Sequence, residues 1–291
     1  MIDPEADRVS SVGRIGELDL GYVRRERETI LAQFQCSSPW HLLPPMTLDD
    51  GGCAYTLLLN PSGGLVGGDR LSVRATLGPE THVLFSTPSA NRVYRSVSEP
   101  SIHSVDLTVG TGAILEWVPD LTIPFAGSRF HQTIHVKLNP GATVVLWDAV
   151  ASGRVARGER WAFASLENEV RITTATGTSV LERYCLNQAD GQGEIGADLG
   201  LAREWDYVAS LYLVNDALDA EVWKQLEQTL ANILGGYGSR VLGGVSEPAV
   251  PGLVVKLVAR SAPDLSTACE RLWAAVREGL WSLPLPALRR Y

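Results

Sequence analysis

The chain has 291 residues, a formal charge of −8, 45% hydrophobic and 20% charged residues. That apolar content suffices for a sizeable core, and the acid excess speaks against a nucleic-acid binder, which offsets phosphate repulsion with a basic stripe. No apolar run reaches the roughly 20 residues of a bilayer span, and no basic then apolar leader is read at the start, so the expectation is a cytoplasmic protein that contacts neither membrane nor nucleic acid.

Between about residues 16 and 214, short period-2 segments broken by Gly, Pro, Asn and Asp predict a β-rich body. Strands are expected at 53–59, 71–77, 83–86, 103–109, 113–118, 130–138, 143–148, 167–173, 180–186 and 207–214, with turns at Gly78-Pro79, Gly110-Thr111-Gly112, Asn139-Pro140-Gly141 and Thr176-Gly177-Thr178. Leu218, Val222, Leu226, Leu230 and Ile233 then recur at helical spacing, with Asn215 or Asp216 placed to cap the start and Gly235-Gly236 to end it. A second stripe, Leu265, Ala268, Cys269, Leu272, Trp273, Val276 and Leu280, follows Pro263-Asp264 and stops before Pro284 and Pro286. Residues 238–242 and 253–259 read as a strand pair between the helices. No linker divides the chain. The reading is one domain over 1–291: a flexible start over 1–15, a β-rich body over 16–214 and a mixed α/β part over 215–291.

The most unusual stretch is Asn60-Pro61-Ser62-Gly63-Gly64-Leu65-Val66-Gly67-Gly68-Asp69. Successive backbone amides in such a loop can form an anion nest. A phosphate loop, however, needs Gly-Lys opening a helix, and here Gly68 is followed by Asp69, Arg70 and a strand. The alternative is a tight turn in which glycines supply positive φ and close backbone approach. Arg92, Tyr94 and Arg95 lie one strand further on, where either arginine can form a bidentate bridge to Asp69 if the strands are neighbours.

Metal and nucleophile signatures are weak. The four cysteines, Cys36, Cys53, Cys185 and Cys269, show no C-x-x-C spacing and are read as reduced thiols. His131 and His135 share a strand face opposite Phe130, Gln132, Ile134, Val136 and Leu138. At about 3.3 Å of rise per residue they are too far apart to chelate one ion readily, and they read as surface histidines. His41, His82 and His103 are isolated, and neither H-E-x-x-H nor G-x-S-x-G occurs. Carboxylates at Glu116, Asp120, Asp148, Glu159, Glu167 and Glu182 leave open a carbohydrate-active enzyme with a convergent pair. A plain interaction module docking through an exposed helix over 265–280 is a further alternative.

Five ordered blocks carry a resemblance. Leu57 to Leu71 around the Gly-Gly-Leu-Val-Gly-Gly-Asp core, Thr87 to Ser96, Leu115-Glu116-Trp117-Val118-Pro119 with Ile123-Pro124-Phe125 and Arg129-Phe130, Gly153-Arg154-Val155-Ala156-Arg157-Gly158-Glu159, and the tail from Leu280 to Arg289 resemble the urease accessory protein D family, called H in some bacteria. The resemblance implies a β-helix-like stack of strands with a C-terminal helical pair. It also implies a non-catalytic chaperone and scaffold that binds apo-urease with accessory protein F and the GTPase accessory protein G, and supports carbamylation of the active-site lysine and nickel insertion. Some members are held to carry nickel or carbon dioxide through an internal polar passage. Carried over by motif, the passage or contact residues are Gly63, Gly64, Gly67, Gly68, Asp69, Arg92, Tyr94, Arg95, Glu159 and Glu182. No resident cofactor and no tightly bound metal are expected, nickel being a transient passenger with Asp69 as its contact. Spaced oxygen ligands suit that role, because they hold Ni²⁺ less tightly than a His or Cys cage. Two departures stand out: Ser62 where a second proline is common, and Arg92 where lysine is usual, which keeps the charge but not a compact amine.

Overall fold

The computed structural model describes residues 13–48, 51–187 and 204–288. Most of the stretch expected to be flexible over 1–15 lies outside the described residues. The elements run β1 (Ile15–Arg25), β2 (Glu28–Cys36), β3 (His41–Leu42), β4 (Ala54–Leu59), β5 (Arg70–Leu77), β6 (His82–Ser86), β7 (Asn91–Val93), β8 (Ser101–Val109), β9 (Ile114–Trp117), β10 (Thr122–Pro124), β11 (Arg129–Leu138), β12 (Thr143–Ala151), β13 (Ser165–Thr173), β14 (Ser179–Asn187), β15 (Tyr207–Val214), α1 (Ala220–Gly235), β16 (Val241–Ser246), β17 (Gly252–Ala259) and α2 (Ala262–Trp281).

From β4 to β13, apart from the short β7 and β10, the chain alternates between two sheets. A seven-stranded sheet has the order β14-β13-β11-β8-β5-β1-β2, and a ten-stranded sheet the order β16-β17-β15-β12-β9-β6-β4-β3 with β7 and β10 beside it. From β4 to β13 the neighbours within each sheet are parallel, so each pair of strands is one coil of a solenoid. This is the mainly β, helix-like stack that the resemblance implied, with the expected helical pair and intervening strand pair at its C-terminal end.

The burial patterns follow from what covers each face. In the seven-stranded sheet β5 and β11 alternate, with Leu71, Val73, Ala75 and Leu77 buried and Arg74 and Thr76 outside, because only one face meets the other sheet. In the ten-stranded sheet β4, β6 and β12 are buried almost throughout. Their second face carries α1 and α2. One core therefore fills the space between the sheets, and a second lies between the ten-stranded sheet and the helices.

At one edge the coils turn tightly: the amides of Gly78, Gly110 and Asn139 donate to the carbonyls of Tyr22, Leu77 and Val109 at 2.8 to 2.9 Å. At the other edge the connections are long, spanning 60–69, 87–100, 118–128 and 152–164. These four connections contain four of the five signature blocks. Stacking therefore gathers motifs far apart in sequence along one edge, where β7 and β10 pair in parallel and Leu65 bridges to Val93.

Local details depart from the sequence reading. Strands β1, β2, β3, β7 and β10 were not predicted individually, and β16 begins at Val241 rather than 238. The cap of α1 is Asp219, not Asn215 or Asp216. Those two side chains fasten the connection to a solenoid turn instead: Asn215 Nδ2 donates to Thr143 Oγ1 at 2.7 Å, and Asp216 Oδ1 accepts from the Gly141 amide at 2.9 Å. Helix α2 opens on Ser261, whose hydroxyl accepts from the Asp264 amide. Its stripe Leu265, Ala268, Leu272, Trp273 and Val276 is at most 3% exposed, so the notion of an exposed docking helix over 265–280 is overturned. Burying each large apolar side chain there is worth about 1.5–3 kcal/mol, which keeps the stripe against the sheet.

Candidate functional site

The glycine-rich connection is a tight turn. Gly63, Gly64 and Gly68 have φ of 82°, 149° and 87°, and a Cβ on Gly64 would meet the Arg92 carbonyl oxygen at 2.4 Å. Several of its amides are bonded within the fold: Leu65 donates to the carbonyl of Arg92, Gly68 to that of Pro100 and Asp69 to that of Val66. Those amides are not free to line an anion nest.

Asp69 is 2% exposed. Its Oδ1 accepts from the Arg14 amide and its Oδ2 from the Val66 amide, both at 2.9 Å, so it ties the loop to the lead-in of β1. Among the described residues neither arginine pairs with it. Arg92 Nη1 and Tyr94 Oη reach the Gly63 carbonyl at 3.5 and 3.2 Å, and Arg95 lies along Gly127. The expected Asp69–Arg bridge does not form because the carboxylate points back into the first coil. Glu159 is bound by Arg154 through both oxygens and accepts from the Ala126 amide at 3.2 Å. The Arg154 bond holds its carboxyl below the usual range. Arg154 also covers the Phe125 ring at 4.4 Å, so Glu159 braces two neighbouring connections.

A different set of residues makes the interior polar. His103, Gln132, Asn168 and Tyr184 are in-register neighbours on β8, β11, β13 and β14, and inward-pointing positions flank them. They form one polar rung across an otherwise apolar sheet. Facing it from β12 is Asp148. Gln132 Nε2 donates to Asp148 Oδ1 and to Asn168 Oδ1, both at 3.0 Å, and Asn168 Nδ2 donates to Asp148 Oδ2 at 2.8 Å. Burial pushes the Asp148 carboxyl up to about 6, against the pull of those two amides and with a further push from Glu182. Burial takes His103 down to about 4, so it is neutral near pH 7. Gln132 Oε1 lies 3.4 Å from His103 Nδ1.

Two cavities meet this rung. One, of about 110 Å³, reaches from Gly63 and Arg92 past Trp40 and His103 to Gln132 and Asp148. The other, of about 380 Å³, is bordered by Asp148, Glu182, Tyr184, Trp205, Ser210 and Lys256. Asp148 lines both. Among the described residues, buried Trp40 Nε1, Trp117 Nε1 and His103 Nε2 have no protein partner, and such polar walls favour water over a dry void. On the far side Glu182 Oε2 accepts from Tyr212 Oη and pairs with Lys256 Nζ, each at 2.7 Å. Of the residues proposed from sequence, Gly63, Gly64 and Arg92 border the first cavity and Glu182 the second. Asp69 and Glu159 line neither.

The decisive residues were poorly marked in sequence. Gln132 had been grouped with the apolar face of its strand, and Asp148 was one of many dispersed carboxylates. A polar residue at an inward position of a strand was the available signal. Asp148 and Glu182 border one cavity, the first held by two carboxamides and the second by Lys256 and Tyr212.

The fold is a β-solenoid that stacks long motif-bearing connections at one edge and carries a polar rung between two cavities. A profile described as UreD urease accessory protein matches residues 14–290. The chain belongs to this family of urease maturation proteins. It is 30% identical over 266 residues to Urease accessory protein UreD of Paracidovorax citrulli, covering 91% of this chain and 94% of that one. Identity to Urease accessory protein UreD 2 of Streptomyces griseus is 33% over 292 residues, covering 99% and 97%, and to the UreD of Acaryochloris marina 41% over 146 residues, about half of each chain. Among the described residues, no helix is long and apolar enough to cross a membrane.

Proposed function

We propose that this chain is a non-catalytic, cytoplasmic scaffold that joins apo-urease to accessory protein F and the GTPase accessory protein G, and conducts nickel through its interior. The observation that carries the reading is that Asp148 lines both cavities. A conduit must attract a divalent cation without trapping it. Here the donors are one carboxylate, carboxamides and a neutral imidazole, spread along a rung rather than closed into a cage. Oxygen-rich, open sites bind such ions less tightly than clustered His and Cys.

In this reading nickel is cargo and no resident cofactor is needed. Asp69, with both oxygens bound to amides, holds the loop; the transient contacts fall to His103, Asp148 and Glu182. Arg92 at the outer mouth serves contact with a partner rather than metal binding.

The test is co-expression of urease and its accessory proteins with Asp148→Asn or Glu182→Gln in place of the wild-type chain, followed by metal analysis of the purified urease. A several-fold fall in nickel per active site is expected with the assembly intact. Full nickel loading with both substitutions combined overturns the conduit, and fully active urease without the chain overturns the maturation role.

A further inference from the structure

On the opposite face of the ten-stranded sheet, under α2, lies a second group of ionisable side chains that the passage does not use. Ala54 and Val83 are partners in the β4–β6 ladder, and Leu84 and Glu116 in the β6–β9 ladder. Continued by one residue, the first ladder sets Cys53 beside His82, and the second places Glu116 two residues beyond His82's partner Ile114, diagonally across on the same face. Their exposures are 4%, 4% and 0%, and a ligand atom of each lies within 4.8 Å of the other two. A cavity of about 350 Å³ bordered by Arg24, Glu80, Thr81, His82 and Trp281 opens onto the histidine.

We propose that Cys53, His82 and Glu116 form a binding site for a late first-row divalent cation such as zinc, cobalt or nickel, separate from the polar rung. Thiolate, imidazole and carboxylate together are the donor set such ions favour. Nε2 of His82 and Oε1 of Glu116 are 2.6 Å apart, so an ion between them requires opening this pair to about 3 Å, for metal bonds of roughly 2.0–2.1 Å. A fourth position can be filled by water from the cavity.

The remaining contacts act in two directions. Trp273 Nε1 donates to Glu116 Oε2 at 2.5 Å, which fixes the carboxylate as outer partners of metal ligands do. Arg277, fully buried, also bonds Glu116 Oε1, and its charge opposes a cation. Cysteine offsets this. On binding, the thiol gives its proton to solvent as the metal–sulfur bond forms, so a divalent ion adds one net charge instead of two. A serine or alanine in place of Cys53 removes that compensation.

The test is cobalt(II) titration of the full chain after chelator treatment and under reducing conditions, read by the thiolate-to-cobalt charge-transfer absorption and by X-ray absorption at the cobalt edge. The expected result is saturation at one equivalent with one sulfur in the first shell, unchanged in Cys185→Ser. Cys53→Ser should remove the sulfur and weaken binding about tenfold or more. A wild-type first shell of nitrogen and oxygen only overturns the proposal. Should Cys53→Ser fail to fold by circular dichroism, a variant that keeps Cys53 as its only cysteine (C36S, C185S, C269A) decides: sulfur retained supports the site, and sulfur lost overturns it.

Discussion

Gln132 of β11 and Asp148 of β12 meet across the space between the sheets, the carboxamide donating to the carboxylate at 3.0 Å. The bond places an ionisable group in the interior, held by neutral donors rather than a counter-charge. Its position between two cavities makes Asp148 the residue on which the conduit is most directly tested.

Asp148→Asn should make stability less sensitive to pH, although the new carboxamide can accept from only one of Gln132 Nε2 and Asn168 Nδ2. The carboxyl titrates near 3.8 when unfolded and at about 6 when folded. The unfolded chain therefore releases its proton first as pH rises, and stability is lost between these values and stays low above them. Relative to the wild type, the variant should therefore stand about 1–2 kcal/mol better at pH 7.5 than at pH 5, since each pH unit is worth about 1.4 kcal/mol, whatever the fixed cost of the lost hydrogen bond. Urea denaturation of both proteins at the two pH values checks this; a difference that does not move in the variant's favour as pH rises would show that burial does not raise the carboxyl.

Asp69→Ala removes the acceptor for two amides and leaves both without a partner in a buried turn. The geometry predicts destabilisation by about 2–4 kcal/mol, from bonds to a charged group of roughly 1.5–3 kcal/mol each. Thermal melting gives the answer. A wild-type melting temperature would restore Asp69 to the list of purely functional residues.

Gly64→Ala meets two obstacles, a φ of 149° and the Arg92 carbonyl 2.4 Å from the new Cβ. Backbone strain of this kind costs on the order of 1–3 kcal/mol before any clash. Accelerated proteolysis of the 60–69 connection is expected, whereas Gly177→Ala, at another positive φ but with open space around it, should show strain alone.

Arg277→Met leaves Glu116 buried with His82 and Trp273 but no permanent positive charge. Breaking one side of a buried ion pair typically costs about 3–5 kcal/mol. Denaturant melts should show it, and because Arg277 Nε also holds the Pro284 carbonyl at 2.8 Å, hydrogen exchange should rise first in the tail after α2.

Arg74→Ala is the contrasting case. Its bidentate pairing with Asp19 lies on the open face of the seven-stranded sheet, with Arg74 48% exposed. Exposed pairs contribute about 1 kcal/mol or less, so the melting temperature should hardly move.

The sequence by itself determined the periodic elements. Strand β11 could be read because one face meets the core and the other water, so polarity alternates with each residue. Helices α1 and α2 could be read from stripes at 3.6-residue spacing and from the glycines or prolines that follow them, though the cap of α1 could not. The glycine turn could be read because only glycine tolerates those φ values. Strands β7 and β10 could not, being three residues long, too short for a period to register. The ordered motifs gave the family through resemblance, but not what their residues touch.

Only the tertiary structure decided the sites. His103, Gln132 and Asn168 are 29 and 36 positions apart, and they meet because coil length and parallel register set them on one rung. Cys53, His82 and Glu116 come together by the same stacking on the other sheet. Asp69 was expected to face a partner or a passage, yet it turned inward, since two unsatisfied backbone amides lay within reach of its carboxylate. Local pattern reports which face of a strand is buried. Which polar groups share that burial depends on how the coils stack, and single segments carry no record of it.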